Sequence, residues 1–231
     1  MPQEPFFTTL NNRGLINISG KDARPFLQGL ITNDINLLDT QPCIYACLLT
    51  PQGKFLYDFF ITENNGTLTL DGEGGERLQA LTKLLNMYKL RADATIETRD
   101  YIPVYTIIGK DTGHKDPRHN DMGYRSFTKP ENLTEKPFDE WDKHRIKLTI
   151  PDGSRDLIPQ KSTMDEGKMD ALNAVSYDKG CYIGQELTAR MHYRGLGKKN
   201  LQTVNLNALP EGAELRSSCE DIGIALVKNT N

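Results

Sequence analysis

The sequence predicts an α+β protein. Strand-like and helix-like segments follow one another in a mixed order, turn signals break the apolar runs into short pieces, and no regular strand–helix–strand repeat prepares a parallel sheet. Gly14-Leu15-Ile16-Asn17-Ile18-Ser19-Gly20 alternates as a strand. Lys21 to Leu30 follows as a helix, with Pro25 tolerated in its first turn and Phe26, Leu27 and Leu30 as its apolar face. Cys43 to Leu49 and Phe55 to Ile61 are apolar runs around Thr50-Pro51-Gln52-Gly53-Lys54, where proline presets a turn and glycine relieves it, so the pair reads as a hairpin. After the turn signal Asn64-Asn65-Gly66, Thr67 to Leu70 makes a short strand, and a helix from about Gly75 to Lys89 presents Leu78, Leu81, Leu85 and Tyr88 on one face. Thr95 to Thr98 and Val104 to Ile108 are further strands, and Lys110 to Pro117 is a polar loop. Gly113 to Lys136 carries no decisive pattern. Phe138 to Leu148 reads as a helix bearing Phe138, Trp141 and Ile146, Pro151 to Pro159 as a loop, and Met164 to Val175 as a second helix. Beyond Gly197 the pattern returns to strand, with Leu201 to Leu206 and Ile222 to Val227 separated by Pro210-Glu211-Gly212. The expected division is a main domain over 1–195 and a short partial barrel over 196–231.

Composition bounds the function. A chain of 231 residues, 37% hydrophobic and 26% charged, can bury a substantial core without staples. No apolar run approaches the roughly 20 residues that cross a bilayer. The start, Met1-Pro2-Gln3-Glu4-Pro5-Phe6-Phe7, lacks a basic region followed by an apolar core and is not Arg-rich, so a cytoplasmic location is expected. The four cysteines, Cys43, Cys47, Cys181 and Cys219, have neither the density of a disulfide scaffold nor a paired C-x-x-C spacing. Cys43 and Cys47 fall on one side of a strand or a helix, which leaves packing and metal ligation both open. A net charge of -3 gives no global reason to bind nucleic acid, so an RNA contact needs a local patch. His114, His119, His144 and His192 show no metal-ligand spacing, and phosphate-binding glycine loops are absent, so nucleotide-driven chemistry is not expected.

The informative segment is Lys179-Gly180-Cys181-Tyr182-Ile183-Gly184-Gln185-Glu186. It sets one cysteine between glycines and charged groups just ahead of a helical pattern. Gly180 and Gly184 allow close approach of the backbone. A helix starting near Cys181 would turn unpaired amides and its positive dipole end toward the thiol, with Lys179 as a nearby cation. Cysteine packed into a tight turn is the alternative. Ile183, Leu187 and Met191 recur every four residues as a buried stripe, which leaves Glu186 and Arg190 as an i,i+4 pair on another face. Arg190, His192, Arg194, Lys198 and Lys199 form a local basic cluster able to meet a phosphate, a polyglutamyl tail or RNA, or simply to be solvated.

The octet, its continuation through Gly195, and the upstream motifs Gly20-Lys21-Asp22-Ala23, Phe26-Leu27-Gln28-Gly29, Thr32-Asn33-Asp34, Leu48 to Lys54 and Leu90-Arg91 resemble the signature of the YgfZ-like proteins. These are folate-binding relatives of the glycine-cleavage aminomethyltransferase that support iron–sulfur cluster assembly, and the resemblance spans most of the chain. It implies the aminomethyltransferase-like fold with a folate-sized cavity and a C-terminal barrel, here shortened. It also implies tetrahydrofolate or a derivative as cofactor, iron–sulfur assembly proteins and client enzymes as partners, a transient cluster contact, and only an indirect link to tRNA modification. On this pattern Cys181 is the redox or cluster-contacting thiol, and Lys179, Gly180, Tyr182, Gly184, Gln185, Glu186, Arg190 and Arg194 surround the cofactor. Asp71 is a weak candidate for a general base, against a plain strand-end role before Gly72. One departure stands out. Ile158-Pro159-Gln160-Lys161 has lysine where an acid commonly holds the pterin, and lysine, a donor only, cannot replace it; Asp165 or Glu166 would have to substitute. The competing functions are a folate-dependent one-carbon transferase and a direct tRNA-binding module.

Overall fold

A computed structural model describes residues 4–195 and 197–229. The first three residues of the N-terminal segment and position 196, where the domain division was drawn, lie outside the described residues. Strands β1 (Phe6–Leu10) and β2 (Arg13–Ser19) precede the short helix α1 (Ala23–Gln28). Then come β3 (Ile44–Leu49), β4 (Phe55–Asn64), β5 (Thr67–Glu73), helix α2 (Glu76–Lys89), β6 (Thr95–Arg99) and β7 (Val104–Ile108). The chain continues through β8 (His114–Lys115), β9 (Tyr124–Ser126), β10 (Thr134–Glu135), helix α3 (Phe138–Lys147) and helix α4 (Gln185–Arg194), and closes with β11 (Lys199–Asn205), β12 (Glu214–Cys219) and β13 (Ile222–Lys228).

The described strands form three sheets, ordered β3-β4-β5-β2-β6, β10-β1-β7-β9-β8 and β11-β13-β12. Strand β3 shows how they share a core. Its residues alternate in direction, and both directions are buried. Tyr45, Cys47 and Leu49 enter a cluster with Trp141 and Ile146 of α3, Met164, and Leu201 and Ile224 of the last sheet. Ile44, Ala46 and Leu48 enter a second cluster with Leu27 of α1 and Leu81 and Leu85 of α2. A residue of this kind contributes about 1.5–3 kcal/mol on full burial, so a polar substitution on either face of β3 removes a large share of the stability.

Ion pairs, rather than apolar contacts alone, join the sheets. Asp71 on β5 accepts from Arg13 Nε on β2 at 2.7 Å, and its other oxygen accepts from Arg125 on β9. Arg145 of α3 is fully buried and donates to Asp142 Oδ1 at 2.6 Å, Asp156 Oδ2 at 2.7 Å, the Ile150 carbonyl at 3.0 Å and Ser217 Oγ on β12 at 2.9 Å. The last sheet is therefore tied to the main body by a satisfied charge as well as by its apolar face.

The expected α+β order holds for the hairpin, the strands around it and the helices α2 and α3, with most ends shifted by a residue or so and with β4 and β5 each running three residues further, to Asn64 and Glu73. Three differences have physical causes. Strand β1, whose Phe6 and Phe7 are buried, pairs with β7 across nearly a hundred residues, a long-range choice that local pattern does not signal. The indecisive region 113–136 supplies the edge strands β8 and β10 and the three-residue β9 between β7 and β8, all too short to carry a period. The helix expected over Met164 to Val175 does not form. Lys168 (φ 49) and Asn173 (φ 56) take left-handed backbone, and the amides of Met169 and Ala174 bond to Met164 and Met169, giving a chain of turns. Its apolar residues are buried all the same, which is why the helical period was present. As for Cys43 and Cys47, both are buried, and residues four apart in a strand stand about 13 Å apart, too far to chelate one ion. Burial pushes the Cys43 thiol up to about 12. Among the described residues no group of three His, Cys, Asp or Glu side chains could hold a metal ion, and no helix is long and apolar enough to cross a membrane.

Candidate functional site

The motifs that stand far apart in sequence meet in space. Phe26 to Gly29, Thr32 to Asp34, Thr50 to Lys54 and the octet from Lys179 to Glu186 form one cradle. Thr32 Oγ1 donates to the Ala174 carbonyl at 2.6 Å, Asn33 Nδ2 donates to the Asn173 carbonyl at 2.8 Å, and the Ser176 amide donates to the Thr32 carbonyl at 3.0 Å. The Ile183 amide reaches the Gly29 carbonyl at 3.3 Å. The segment from 173 to 184 is thus stitched along the end of α1 and the turn behind it.

Lys179 is the strongest stitch. It is 7% exposed, and its Nζ donates to the carbonyls of Gln28 (2.7 Å), Ile31 (2.7 Å) and Asn33 (2.8 Å). An ammonium has three donors and all three are used. Burial pulls its pKa down to about 8, with Asp34 acting the other way. Tyr182 is buried beneath it, with the ammonium 5.2 Å from the ring centre. Gly184 is required twice over. Its φ of 84° is left-handed, and a Cβ there would stand 2.6 Å from the Thr50 carbonyl oxygen and 3.0 Å from Gly53 Cα. These two glycines let the hairpin turn and the octet touch through their backbones.

The remaining octet residues face outward or lie at the rim. Cys181 is exposed and free, whereas Cys43, Cys47 and Cys219 are buried. Gly180 and Glu186 are exposed, and Gln185 is half-buried as the first residue of α4. The helix begins four residues after Cys181, with Gly184 as its N-cap, and the Lys179 ammonium points inward. The helix therefore does not begin at Cys181, and the Lys179 ammonium is taken up by three carbonyls rather than left free. The stripe of Ile183, just ahead of α4, and Leu187 and Met191 on it is half-buried, Thr188 is the buried residue of the helix, and Arg190 and Arg194 are exposed. Glu186 and Arg190 do not form the expected ion pair. The side chain that acquires a partner is His192, stacked on Tyr177 with ring centres 3.9 Å apart and with Nδ1 3.3 Å from Asp170.

Beside the cradle lies a cleft of about 670 Å³, a size that suits a small organic ligand. Asn33, Cys43 and Tyr45 line one side, Lys115 and Asp116 a second, and Asn173 with Val175 to Asp178 a third. Asp116 is buried against Arg118, which binds both its oxygens at 3.0 and 2.8 Å, so Asp178 is the exposed carboxylate of the lining. Lys115 is exposed at the rim. Lys161, where an acid was wanted, is exposed and lies off this lining. Neither expected substitute reaches it either: Glu166 accepts from the Thr163 amide at 3.1 Å, and Asp165 faces a separate small recess with His192.

Asp71, weighed as a general base, is 1% exposed and clamped by two guanidiniums. Burial works to raise its pKa, but Arg125 and then Arg13 prevail and hold the carboxyl below its usual range. It joins sheets. The buried acid that sequence reasoning passed over is Asp58 on β4. Its Oδ2 accepts from Tyr45 OH at 2.7 Å, and its Oδ1 has no partner among the described residues. Burial, and next Glu73, push its carboxyl up. A single charge inside the apolar run Phe55-Leu56-Tyr57-Asp58-Phe59-Phe60 was the available signal.

No family model matches the chain. Curated relatives do. It is 33% identical over 234 residues to the mitochondrial iron–sulfur cluster assembly factor IBA57 of Mus musculus, covering 85% of this chain and 65% of the relative. It is 34% identical over 240 residues to the same factor of Homo sapiens, covering 87% and 67%. It is 30% identical to the homologue of Pyricularia oryzae, covering 84% and 56%. The chain thus spans about two thirds of the length of the mammalian relatives and less of the fungal one, and their names carry a mitochondrial location where the N-terminal sequence suggested cytoplasm. Among solved structures, an aminomethyltransferase T of the glycine cleavage system from Bartonella henselae superposes with a TM-score of 0.73 at 13% identity, covering 97% of this chain and 78% of that one. The fold is that of the aminomethyltransferases, and the sequence relatives and the convergence of the signature motifs on one cradle make the chain a member of the YgfZ family, to which the IBA57 proteins belong.

Proposed function

We propose that this protein is an accessory factor for the assembly or repair of iron–sulfur proteins, in which Cys181 supplies one thiolate to a cluster in transit. The observation that carries this reading is the display of Cys181: exposed and free, on a segment anchored by Lys179, Tyr182 and Gly184, while the other three cysteines are buried. One thiol completes no cluster site. With no three-ligand group elsewhere among the described residues, the other ligands come from a partner, so the chain assists a handover rather than storing a cluster. Cys181 loses its proton to solvent, its sulfur takes a coordination position on iron, and a donor thiolate leaves; no electron is transferred. The names of the relatives support the cluster as cargo. Any support of tRNA modification follows indirectly, through cluster-dependent enzymes, and the protein works wherever clusters are built.

The cleft is the companion site for a tetrahydrofolate derivative. Its volume admits such a ligand, Asp178 offers the paired acceptor that Lys161 lacks, and Lys115 can meet the glutamate tail. The one-carbon transferase reading loses its base, because Asp71 is locked in ion pairs. Two measurements test the proposal. Cys181→Ala in cells should lower the activity of cluster-dependent enzymes while the protein stays at normal abundance; undiminished activity rejects the thiol role. Calorimetric titration with reduced folates should give binding that Asp178→Asn weakens about tenfold, and no heat from any folate rejects the cleft as its site.

A further inference from the structure

Sheet edges in this fold are closed, with one exception. The outer strand β6 carries Glu97 and Arg99, and the Thr32 amide covers β3 by donating to the Cys47 carbonyl at 2.9 Å. The edges β8 and β10 are two residues long. In the last sheet, β12 is irregular between Leu215 and Ser217 and carries Glu214 and Arg216. Charges, bulges, short strands and covering segments keep an edge from accepting a further strand. The other edge of that sheet is β11, seven residues paired with β13 in unbroken register. From Leu201 to Asn205 it has no charge, proline or bulge.

The register tells which groups this edge presents. The Asn229 amide donates to the Lys198 carbonyl and the Leu206 amide to the Asp221 carbonyl, each at 2.8 Å, so even-numbered residues of β11 bond to β13 and odd-numbered ones turn outward. The Leu201 amide bears this out by donating to the Glu166 carbonyl at 2.7 Å. That is one rung of a further strand, supplied by the chain itself. It goes no further, because Lys168 is left-handed at φ 49° and turns the chain away. The Leu201 carbonyl and both main-chain groups of Thr203 have no hydrogen-bond partner among the described residues.

Beside these groups runs a groove of about 630 Å³, lined by Leu201 and Thr203, by Leu148 and Thr149 after α3, and by Lys168 and Leu172. Thr149 is β-branched yet left-handed at φ 57°, and its Oγ1 lies 2.8 Å from Thr203 Oγ1, which fixes this strained turn to the edge. Left-handed residues thus bound the groove on two sides, and such strain gathers at ligand clamps. The groove is separate from the cleft described above: segments 117–119 and 171–173, joined by Asn173 Nδ2 on the Pro117 carbonyl at 2.8 Å, stand between them. No acidic residue lines the groove, and Asp170 in the neighbouring turn faces His192. Lys168 and Lys147, which directly precedes Leu148, are exposed and join no ion pair among the described residues.

We propose that the edge of β11 is a docking site for an extended acidic segment of a partner protein, which adds a strand along Leu201 and Thr203 and sets alternate apolar side chains into the groove. The inference goes beyond the function proposed above and needs neither Cys181 nor the cleft. Main-chain bonds to the edge supply the attraction, and the groove and the two lysines supply the preference.

The test is binding of the whole chain to labelled peptides of about six residues in which glutamate alternates with valine, leucine or phenylalanine. Binding should slow hydrogen exchange of the Thr203 amide, and methylating the peptide amides along one edge should weaken it about tenfold or more. Lysine in place of the peptide glutamates should weaken it about as much, and Lys147→Gln/Lys168→Asn about fivefold with unchanged melting temperature. Thr203→Pro removes the outward donor and keeps the rungs to β13, since an edge strand accepts proline, and should abolish binding. Where that variant fails to fold, the methylated peptides decide the main-chain contact. No binding by any of the three peptides up to about 1 mM overturns the site. Binding that leaves Thr203 exchange unchanged, or that neither methylation nor the lysine substitutions weaken, overturns it too. Slow Thr203 exchange without peptide, rising with protein concentration alongside a doubled mass in solution, overturns the partner segment in favour of a second copy of this chain.

Discussion

Arginine serves opposite ends in two regions of this molecule. In the interior, Arg13 and Arg125 are buried on Asp71 and clamp β2, β5 and β9, while Arg145 uses its donors on α3, the loop after it and β12. On α4, Arg190 and Arg194 are exposed and join no ion pair among the described residues. The interior set holds sheets together and leaves nothing for a ligand. The α4 set contributes little to the fold and keeps its charge in solvent. The octet repeats the contrast at single-residue scale, since Lys179, Tyr182 and Gly184 face in while Gly180, Cys181 and Glu186 face out.

The contrast can be broken most sharply at Asp71. Asp71→Ala strands two buried guanidiniums and should cost about 3–5 kcal/mol, seen as a lowered urea midpoint. If the loss is under about 1 kcal/mol, the interior pairs do not hold the sheets. The pH dependence sharpens the same point. Asp71 has a folded-state pKa below its unfolded value of about 3.9, so its contribution is complete above that pH and is lost as pH falls through the lower folded value. The stability gap between wild type and Asp71→Asn should therefore be widest near neutrality and close on acidification below about pH 4.

Smaller effects are expected along the octet. Gly184→Ala combines left-handed strain with overlap against Thr50 and Gly53 and should cost about 2–4 kcal/mol. Lys179→Met leaves three carbonyls without their donor and should cost about 1–3 kcal/mol, with faster amide exchange over Gln28 to Asn33. Cys181→Ala and Gly180→Ala should each change stability by less than about 0.5 kcal/mol, and only their binding and cellular effects should be visible. A Gly180→Ala as damaging to stability as Gly184→Ala would erase the distinction between the inner and outer sides.

Much of this was legible before any coordinates. The hairpin around Thr50 to Lys54, the amphipathic α2 and the strand β7 follow from periods and turn residues, which are local. The octet was legible as a site because Cys181 stands among glycines without an apolar neighbour pattern to bury it. The roles inside it were not. Lys179 and Cys181 are both polar residues on one short loop, and nothing in their order tells which turns inward. That depends on three carbonyls more than 140 residues upstream. Asp71 read as a strand-end acid because its partners Arg13 and Arg125 come from different sheets. The turns over Met164 to Val175 carried a helical period only because burial in a shared core selects apolar residues whatever the backbone does.

Local chemistry therefore decided the element types, the α+β class and the identity of the signature cysteine, since periodicity and turn preference act over a few residues. Only the tertiary structure decided which charges are spent and which are free, because burial and ion pairing depend on chain segments brought together from far apart. For the octet around Cys181, that difference separates an anchor, Lys179 on its three carbonyls, from a group offered to solvent, the exposed thiol two residues on.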